Sequence, residues 1–436
     1  MSEDLFHEFP AADFQQWKVR VEKELKGNPA ESLRIHTTDG VFLEPYATGR
    51  PAAAGTLSRL PNVAGDWSIV DEIEVTEEKE ANQKALAALN GGANALLFYL
   101  YPNTHSESLL NGIGLKFIHS HFVLEGKADE WAEKLLAMNG ATEADICLNM
   151  DPIENLARSG TWFESRKQDF NRIKKLAALS SNHWRIFTVN AATYAYAGAS
   201  SAMQLAILLA STHEYFVHFG EKALSQAQWN MAVGANYLEE MAKLRAARKL
   251  FQLLVHQMEV DQKKIFIHAE SSSLNHMTKD AESNMLRNTA MAMAAVNGGA
   301  DSVVVRSHDG SPSGNRLARN VQLLLRHESY FGAVEDVAAG SFFIEKETEL
   351  IAEKAWELFK EIEQQGGIIS CLESGWLAHR LRKSGDTEIE KFRQGKTPLV
   401  GMNKYLKTGE TDSYELAWKG GSRKALPMLH WKKTEA

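Results

Sequence analysis

The sequence contains few cysteines. Only Cys147 and Cys371 occur among 436 residues, and they lie far apart. They form no CxxC pair, so they cannot build a cysteine-rich metal site. A disulfide framework is therefore excluded, and we expect both to be reduced residues of the core.

The sequence also lacks an excess of positive charge and any long apolar run. Lys and Arg number 48 against 56 Asp and Glu, for a net charge of -8. Nucleic-acid binding requires a basic surface, and a membrane span requires about 18 or more apolar residues. The first ten residues, MSEDLFHEFP, are acidic and have no apolar signal core. We expect a cytoplasmic protein without nucleic-acid or membrane partners.

Several chemical signatures are absent. No GxGxxG follows the first predicted strand, which argues against a dinucleotide-binding fold. There is no HExxH, no clustered set of His and Cys, and no lysine-bearing P-loop. The sequence therefore predicts no metal site and no nucleotide site of these kinds.

Short apolar segments alternate with longer helical patterns from residue 67 onward. Helices are predicted at 77–89, 239–255, 283–296 and 316–327. Eight strands are predicted, at 67–73, 95–100, 116–124, 145–151, 184–190, 213–219, 264–270 and 301–307. Eight strand–helix units predict an α/β fold with an eight-stranded parallel (TIM-type) barrel; an open doubly wound sheet is the alternative.

The segments flanking the barrel predict three regions. Residues 1–60 form an N-terminal arm, in which apolar residues at helical spacing predict a helix over 14–25 and 45–55 is a linker. This arm has too little core of its own, so we expect it to pack on either the main body or another chain. Residues 61–410 form the barrel, with a C-terminal helical extension that begins with a long helix at 345–366. Residues 411–436 form a C-terminal tail.

Chemistry in such a barrel belongs at the carboxyl ends of its strands, here near residues 190–198, 268–276 and 305–316. His268 and Glu270 alternate on one strand and share a face, followed by Ser271–Ser273. A His/Glu pair can do acid–base work, but a structural hydrogen-bonded pair is favoured. His308-Asp309-Gly310 holds either a catalytic group or a turn, and the turn is favoured.

The basic segment 243–249, KLRAARK, lies within a predicted helix. Its composition alone predicts a solvated helix face.

Five segments resemble one family. They are MAKLRAARKLFQLLVHQ (241–257), DAESNMLRNTAMAMAAVNGGAD (280–301), NRLARNVQLLLRHES (315–329), EKAWELFKEIEQQGG (353–367) and PLVGMNKY (398–405). All resemble the barrel of the methylmalonyl-CoA mutase family. The resemblance covers roughly residues 10–410 and is densest after 185.

The resemblance implies a fold and a reaction. In the family, coenzyme A threads along the axis of an eight-stranded barrel lined by small polar residues. Adenosylcobalamin caps the mouth and is held by a C-terminal flavodoxin-like domain. Homolysis of its cobalt–carbon bond starts the interconversion of methylmalonyl-CoA and succinyl-CoA, so the cofactor supplies the difficult chemistry.

The chain departs from the family at the cofactor. The lower-ligand signature Asp-x-His-x-x-Gly occurs nowhere, and the sequence stops at Ala436, soon after the Tyr405 motif. We expect this chain to bind no cofactor, with adenosylcobalamin held by a partner subunit.

It also departs at the substrate residues. Thr193 stands where the family has the histidine that bonds the thioester carbonyl, and Gln226 stands for an arginine. On the first strand Val70 and Glu72 stand for an arginine and a tyrosine.

The seventh strand reads Phe266-Ile267-His268-Ala269-Glu270 where the family has Arg-Thr-His-Ser-Gln, so His268 alone is retained. A carboxylate at Glu270 would repel an anionic acyl-CoA. The bulk of Phe266 suggests that side chains fill the axis, although the sequence alone does not decide between a filled and an open axis.

These departures favour a non-catalytic small subunit that forms a heterodimer with a large, catalytic, cobalamin-binding mutase subunit and stabilises it. The resemblance also implies that the N-terminal arm, residues 1–60, contacts that partner, because the family uses its arm in this way. The alternative is a catalytic acyl-CoA mutase barrel that uses a separate cobalamin-binding chain. In that case Thr193, Gln226 and Glu270 would surround the acyl-CoA.

Overall fold

A computed structural model describes most of the chain. The described residues are 13–36, 40, 42–45, 66–101, 104–124, 128–138, 140–261, 263–277, 280–406, 413–422 and 425–434. Most of the predicted linker 45–55 and the first twelve residues lie outside them.

Thirteen strands are present in the described part of the chain. They are β1 (Ile35–His36), β2 (Phe42–Leu43), β3 (Ser68–Glu74), β4 (Ala95–Leu100), β5 (His119–Leu124), β6 (Asp145–Asn149), β7 (Trp184–Arg185), β8 (Phe187–Asn190), β9 (Ala227–Val233), β10 (Phe266–Ser271), β11 (Ser302–Val304), β12 (Ser413–Lys419) and β13 (Met428–Thr434).

Fifteen α-helices are present in the same described ranges. They are α1 (Phe14–Glu24), α2 (Glu78–Asn90), α3 (Ser106–Leu109), α4 (Ala128–Leu136), α5 (Pro152–Ser159), α6 (Arg166–Leu179), α7 (Ala192–Tyr196), α8 (Ser201–Phe219), α9 (Glu221–Ser225), α10 (Tyr237–Gln257), α11 (Ala281–Asn297), α12 (Pro312–His327), α13 (Phe342–Gln364), α14 (Gly367–Ser374) and α15 (Trp376–Arg393).

A nearly closed parallel barrel organises the molecule, with nine strands in the order β7-β6-β5-β4-β3-β11-β10-β9-β8. The predicted count of eight was wrong because the segment 184–190 is split. The backbone N–H groups of Ile186 and Phe187 both donate to the Gln226 carbonyl, which disrupts the ladder as a bulge does. As a result β7 pairs with β6, while β8 pairs with β9. Only Ile186 separates the two edge strands, so the chain itself joins them.

The predicted strand at 213–219 was also wrong, because those residues end helix α8. The strand that completes this part of the barrel is β9, in which every residue is buried. Helix α8 is buried on nearly all sides over residues 201–212. The mispredicted segment 213–219, HEYFVHF, is a short run rich in aromatic residues at the more exposed end of α8. Periodicity cannot distinguish a short apolar run of this kind from a strand.

The basic segment of α10 is not a solvated face, contrary to the prediction. Lys243, Arg245 and Arg248 are each at most 3% exposed. The Lys243 ammonium contacts Glu240 and donates to the Ala232 carbonyl. Arg245 pairs with Asp336 and Arg248 with Asp301. Helix α13 covers this side of the barrel, and buried cations are tolerated because each has an acidic or carbonyl partner.

The C-terminal extension consists of α13, α14 and α15, as the predicted long helix indicated, followed by the antiparallel hairpin β12–β13. The hairpin lies in the predicted tail. Its Leu416 and Leu429 pack with Ile389 of α15 in a small separate cluster.

The predicted helix of the arm forms α1, and none of its residues is buried. Both cysteines are free and buried, as expected. Among the helices of the described ranges, none has the length and hydropathy that crossing a membrane requires.

Candidate functional site

The barrel interior is the place where a ligand would lie, and one side of it is apolar. Alternate residues of each strand point inward. Val70, Ala95, Leu97 and Val304 form a buried cluster of their own, separate from the main core between the strands and the outer helices. Val70, a candidate site residue, therefore fills part of the axis.

The amino-terminal end of the interior is crossed by charged and aromatic side chains. Arg185 forms an ion pair with Asp145 and stacks 3.8 Å above the ring of Phe266. His119 contacts Asp145 at 3.0 Å and has its ring 5.9 Å from Phe266. Burial opposes ionisation of Asp145, but the bonds from His119 and Arg185 prevail and lower its pKa. Phe266 occupies the axis here, as its bulk suggested.

The centre of the interior is crossed by two imidazoles. The rings of His121 on β5 and His268 on β10 are 4.8 Å apart. Three strands separate β5 from β10 in the sheet, so this contact spans the axis rather than running along the wall. His268 Nδ1 lies 2.8 Å from Ser302 Oγ. Gln228 Nε2 lies 3.4 Å from His121 Nδ1.

The carboxyl-terminal end of the interior is closed by a group of five side chains, here called the mouth cluster: Glu72, Tyr99, Tyr196, Glu270 and Arg306. Arg306 lies 2.9 Å from Glu270 and 3.4 Å from Glu72. The Tyr196 hydroxyl donates to Glu270 at 2.9 Å, and the Tyr99 hydroxyl to Glu72 at 3.4 Å. The retained His268 and the substituted Glu270 are thus not bonded to each other, and each has its own partner.

The mouth cluster contains two carboxylates, Glu72 and Glu270, and one cation, Arg306. Burial raises the pKa of Glu72, which Arg306 opposes and Glu270 reinforces. Because Arg306 neutralises much of the Glu270 charge, repulsion of an anionic acyl-CoA is weaker than the sequence alone suggested. The side chains that cross the axis are the stronger obstacle.

The other candidate residues lie apart from each other. The Thr193 hydroxyl donates to Glu154 at 2.7 Å, so it is bonded to α5 rather than directed at a free ligand site. Gln226 bonds Ser180 and the Ser181 carbonyl at the amino-terminal end of β9, opposite the mouth cluster. Gln226 therefore does not form one site with Glu270, whereas Thr193 lies on α7 with Tyr196, at the same end of the barrel as Glu270.

The segment after β11 is a turn, the interpretation that the sequence favoured. Asp309 Oδ1 accepts from the Ser311 N–H and the Ser311 hydroxyl, and Gly310 has φ +76°. In the part of the chain that the structure describes, no group of three or more His, Cys, Asp or Glu is placed to hold a metal ion.

Three members of the mouth cluster were missed from the sequence. Tyr99, Tyr196 and Arg306 all lie at or beyond the carboxyl end of a barrel strand, which was an available signal. Tyr196 and Arg306 fall in the predicted segments 190–198 and 305–316, in which Thr193 and His308 were the candidate residues. An isolated arginine or tyrosine has no motif that predicts its partner.

His268 gives the barrel a testable pH dependence. Burial lowers its pKa to about 4, against about 6.5 in the unfolded chain. The folded state therefore binds fewer protons than the unfolded chain. The contribution of neutral His268 to the free energy of unfolding is fully present above the unfolded pKa, and it decreases as the pH falls toward the folded pKa. We expect the free energy of unfolding of the wild type, minus that of His268→Gln, to fall by about 2 kcal/mol between about pH 7.5 and pH 5. Urea unfolding of both proteins measures this; a constant difference would refute a neutral His268.

The fold and site define a parallel α/β barrel whose axis is crossed by its own side chains. The family model for methylmalonyl-CoA mutase matches residues 110–420, and the chain belongs to this family. The methylmalonyl-CoA mutase small subunit of Streptomyces virginiae is 31% identical, over 91% of this chain and 71% of that protein. The small subunit of Porphyromonas gingivalis is 28% identical, over 92% of this chain and 71% of that protein.

A relative named methylmalonyl-CoA mutase, from Rhizobium meliloti, is 31% identical over 90% of this chain and 64% of its own length. Among solved structures, a dihydropteroate synthase from Coxiella burnetii matches 68% of this chain and 99% of its own, with a TM-score of 0.33 and 10% identity. That likeness is too weak to carry an argument.

Proposed function

We propose that the chain is the small subunit of a methylmalonyl-CoA mutase and does not itself catalyse the reaction. It forms a heterodimer with a large subunit that binds adenosylcobalamin and interconverts methylmalonyl-CoA and succinyl-CoA. The small subunit stabilises its partner, because an interface that forms only between folded chains favours both folded states.

The observation that carries the proposal is the crossed barrel axis. An acyl-CoA threaded along the axis would have to displace the Arg185–Phe266 stack, the His121–His268 contact and the mouth cluster. Each displacement would leave buried polar or charged groups without partners, which is strongly unfavourable. The relatives named small subunit support the same assignment.

The residues at the mouth do not fit adenosylcobalamin. A cofactor that caps the barrel must face the reacting end of the substrate, but there Arg306, Glu270 and Tyr196 bond one another. No step of the reaction is therefore assigned to this chain, and the partner would hold the cofactor.

Purification of the native complex through this chain tests the proposal. We expect a co-purifying large chain that carries its own barrel and adenosylcobalamin. Isothermal titration of the isolated chain with adenosylcobalamin should show no binding, with the reconstituted complex as the positive control. Micromolar binding to the isolated chain would overturn the proposal.

The alternative is a catalytic barrel that uses a short cobalamin-binding chain. It predicts a co-purifying partner without a barrel and acyl-CoA bound by this chain. The bond between Thr193 and Glu154 and the distant position of Gln226 argue against it.

A further inference from the structure

Four polar atoms at the centre of the barrel lack hydrogen-bond partners among the described residues: His121 Nε2, Asn149 Nδ2, Gln228 Oε1 and His268 Nε2. Their residues are 1%, 8%, 0% and 2% exposed. Each unmet buried polar group costs about 1–3 kcal/mol. Four of them in one interior therefore call for an additional bonding partner.

The four residues, here called the central cluster, are connected to one another. His121 contacts the His268 ring at 4.8 Å and Gln228 Nε2 at 3.4 Å. Asn149 Oδ1 accepts from the thiol of Cys147 at 3.0 Å, and Cys147 is the neighbour of His121 across the β5–β6 ladder. The residues that carry the unmet atoms thus form one connected group inside the barrel.

The bonding pattern assigns donors and acceptors in the central cluster. Gln228 Nε2 donates to Asn230 Oδ1 at 2.8 Å and faces His121 Nδ1. His121 Nδ1 is therefore an acceptor, so its proton sits on Nε2. Gln228 Oε1 is left as an acceptor, and Asn149 Nδ2 as a donor.

His268 completes the set. Its Nδ1 lies 2.8 Å from Ser302 Oγ, and that hydroxyl can either donate or accept. When Nδ1 carries the proton and donates to Ser302, Nε2 becomes an acceptor. The central cluster then presents two donors and two acceptors, which is the complement of one water molecule.

We propose that the barrel interior binds a buried water molecule within the central cluster. The water accepts from His121 Nε2 and Asn149 Nδ2 and donates to Gln228 Oε1 and His268 Nε2. A metal ion does not suit this set, because two of the four atoms carry N–H groups directed at the site. An anion does not suit it either, because the Gln228 carbonyl oxygen would face it. The retained histidine would thus have a structural role.

A crystal structure of the full chain at about 1.5 Å tests the proposal. We expect a density peak about 2.7–3.2 Å from the four atoms. An interior without a peak, or a peak with a metal's anomalous signal, would overturn the proposal.

Long-range ¹⁵N–¹H spectra of histidine-labelled protein provide a second, independent readout. We expect His268 as the Nδ1–H tautomer and His121 as the Nε2–H tautomer, with His268→Gln used to assign the signals. His213 serves as the control. It bonds Glu363 outside the barrel interior, and because that bond raises its pKa, its ring is more readily protonated on both nitrogens than a ring held as one neutral tautomer. Finding His268 protonated on Nε2 would contradict the assigned donor pattern.

Discussion

Replacing Arg306 with methionine is expected to lower the free energy of unfolding by about 3 kcal/mol at neutral pH. The change leaves Glu72 and Glu270 facing each other in the mouth without their shared cation. Burial already raises the pKa of Glu72, and without Arg306 to oppose it that pKa should rise further, so the folded variant binds more protons than its unfolded chain. The difference in unfolding free energy between the variant and the wild type should therefore become smaller as the pH falls toward about 5. Urea unfolding at several pH values measures the effect.

A matched control for this variant is Arg20→Met. Arg20 pairs with Glu24 on α1 with both side chains more than 60% exposed, so its loss should change the free energy of unfolding by about 0.5 kcal/mol or less. The triple variant Glu72→Gln, Glu270→Gln, Arg306→Met should recover much of the loss, because no charged side chain remains in the mouth cluster. If the loss of unfolding free energy in Arg306→Met does not change with pH, the mouth cluster as described would be contradicted.

Replacing Arg248 with methionine is expected to lower the free energy of unfolding by about 3–5 kcal/mol. Arg248 is 2% exposed and donates to the carbonyls of Gly299 and Ile265 and to Asp301. Asp301 in turn accepts from the Ile267 N–H, so the arginine ties α10 to β10 and to the segment that precedes β11. Equilibrium unfolding in urea measures the loss.

The control for this position is Arg316→Met on the exposed face of α12, which should be close to neutral. Should Arg248→Met fail to fold, Arg248→Lys remains informative. It keeps the charge but cannot supply the planar fork that reaches three acceptors, so it should be destabilised by an intermediate amount. Wild-type stability in Arg248→Lys would show that the fork is unimportant.

The barrel was predictable because most of its strands are short apolar segments separated by helical patterns. Helices α2, α10, α11 and α12 were predicted to within a few residues. The failures have two physical origins. The end of helix α8 is a short aromatic-rich run that periodicity cannot distinguish from a strand, and the basic segment of α10 is covered by α13, which composition cannot reveal.

The candidate site was predictable only in part. The segments near 190–198, 268–276 and 305–316 do meet at one end of the barrel, because parallel strands bring their carboxyl ends together. The partners within the site were not predictable. The pairing of Arg306 with Glu72 joins residues more than 200 positions apart, and its pairing with Glu270 joins residues 36 positions apart. No local pattern encodes such contacts.

The number of acyl-CoA molecules bound by the native complex tests the central claim most directly. Titration of the purified complex with methylmalonyl-CoA should give one site per heterodimer, in the partner's barrel, because the axis of this chain is occupied by its own side chains. The isolated chain should show none. Two sites per heterodimer, or micromolar binding to the chain alone, would contradict the account.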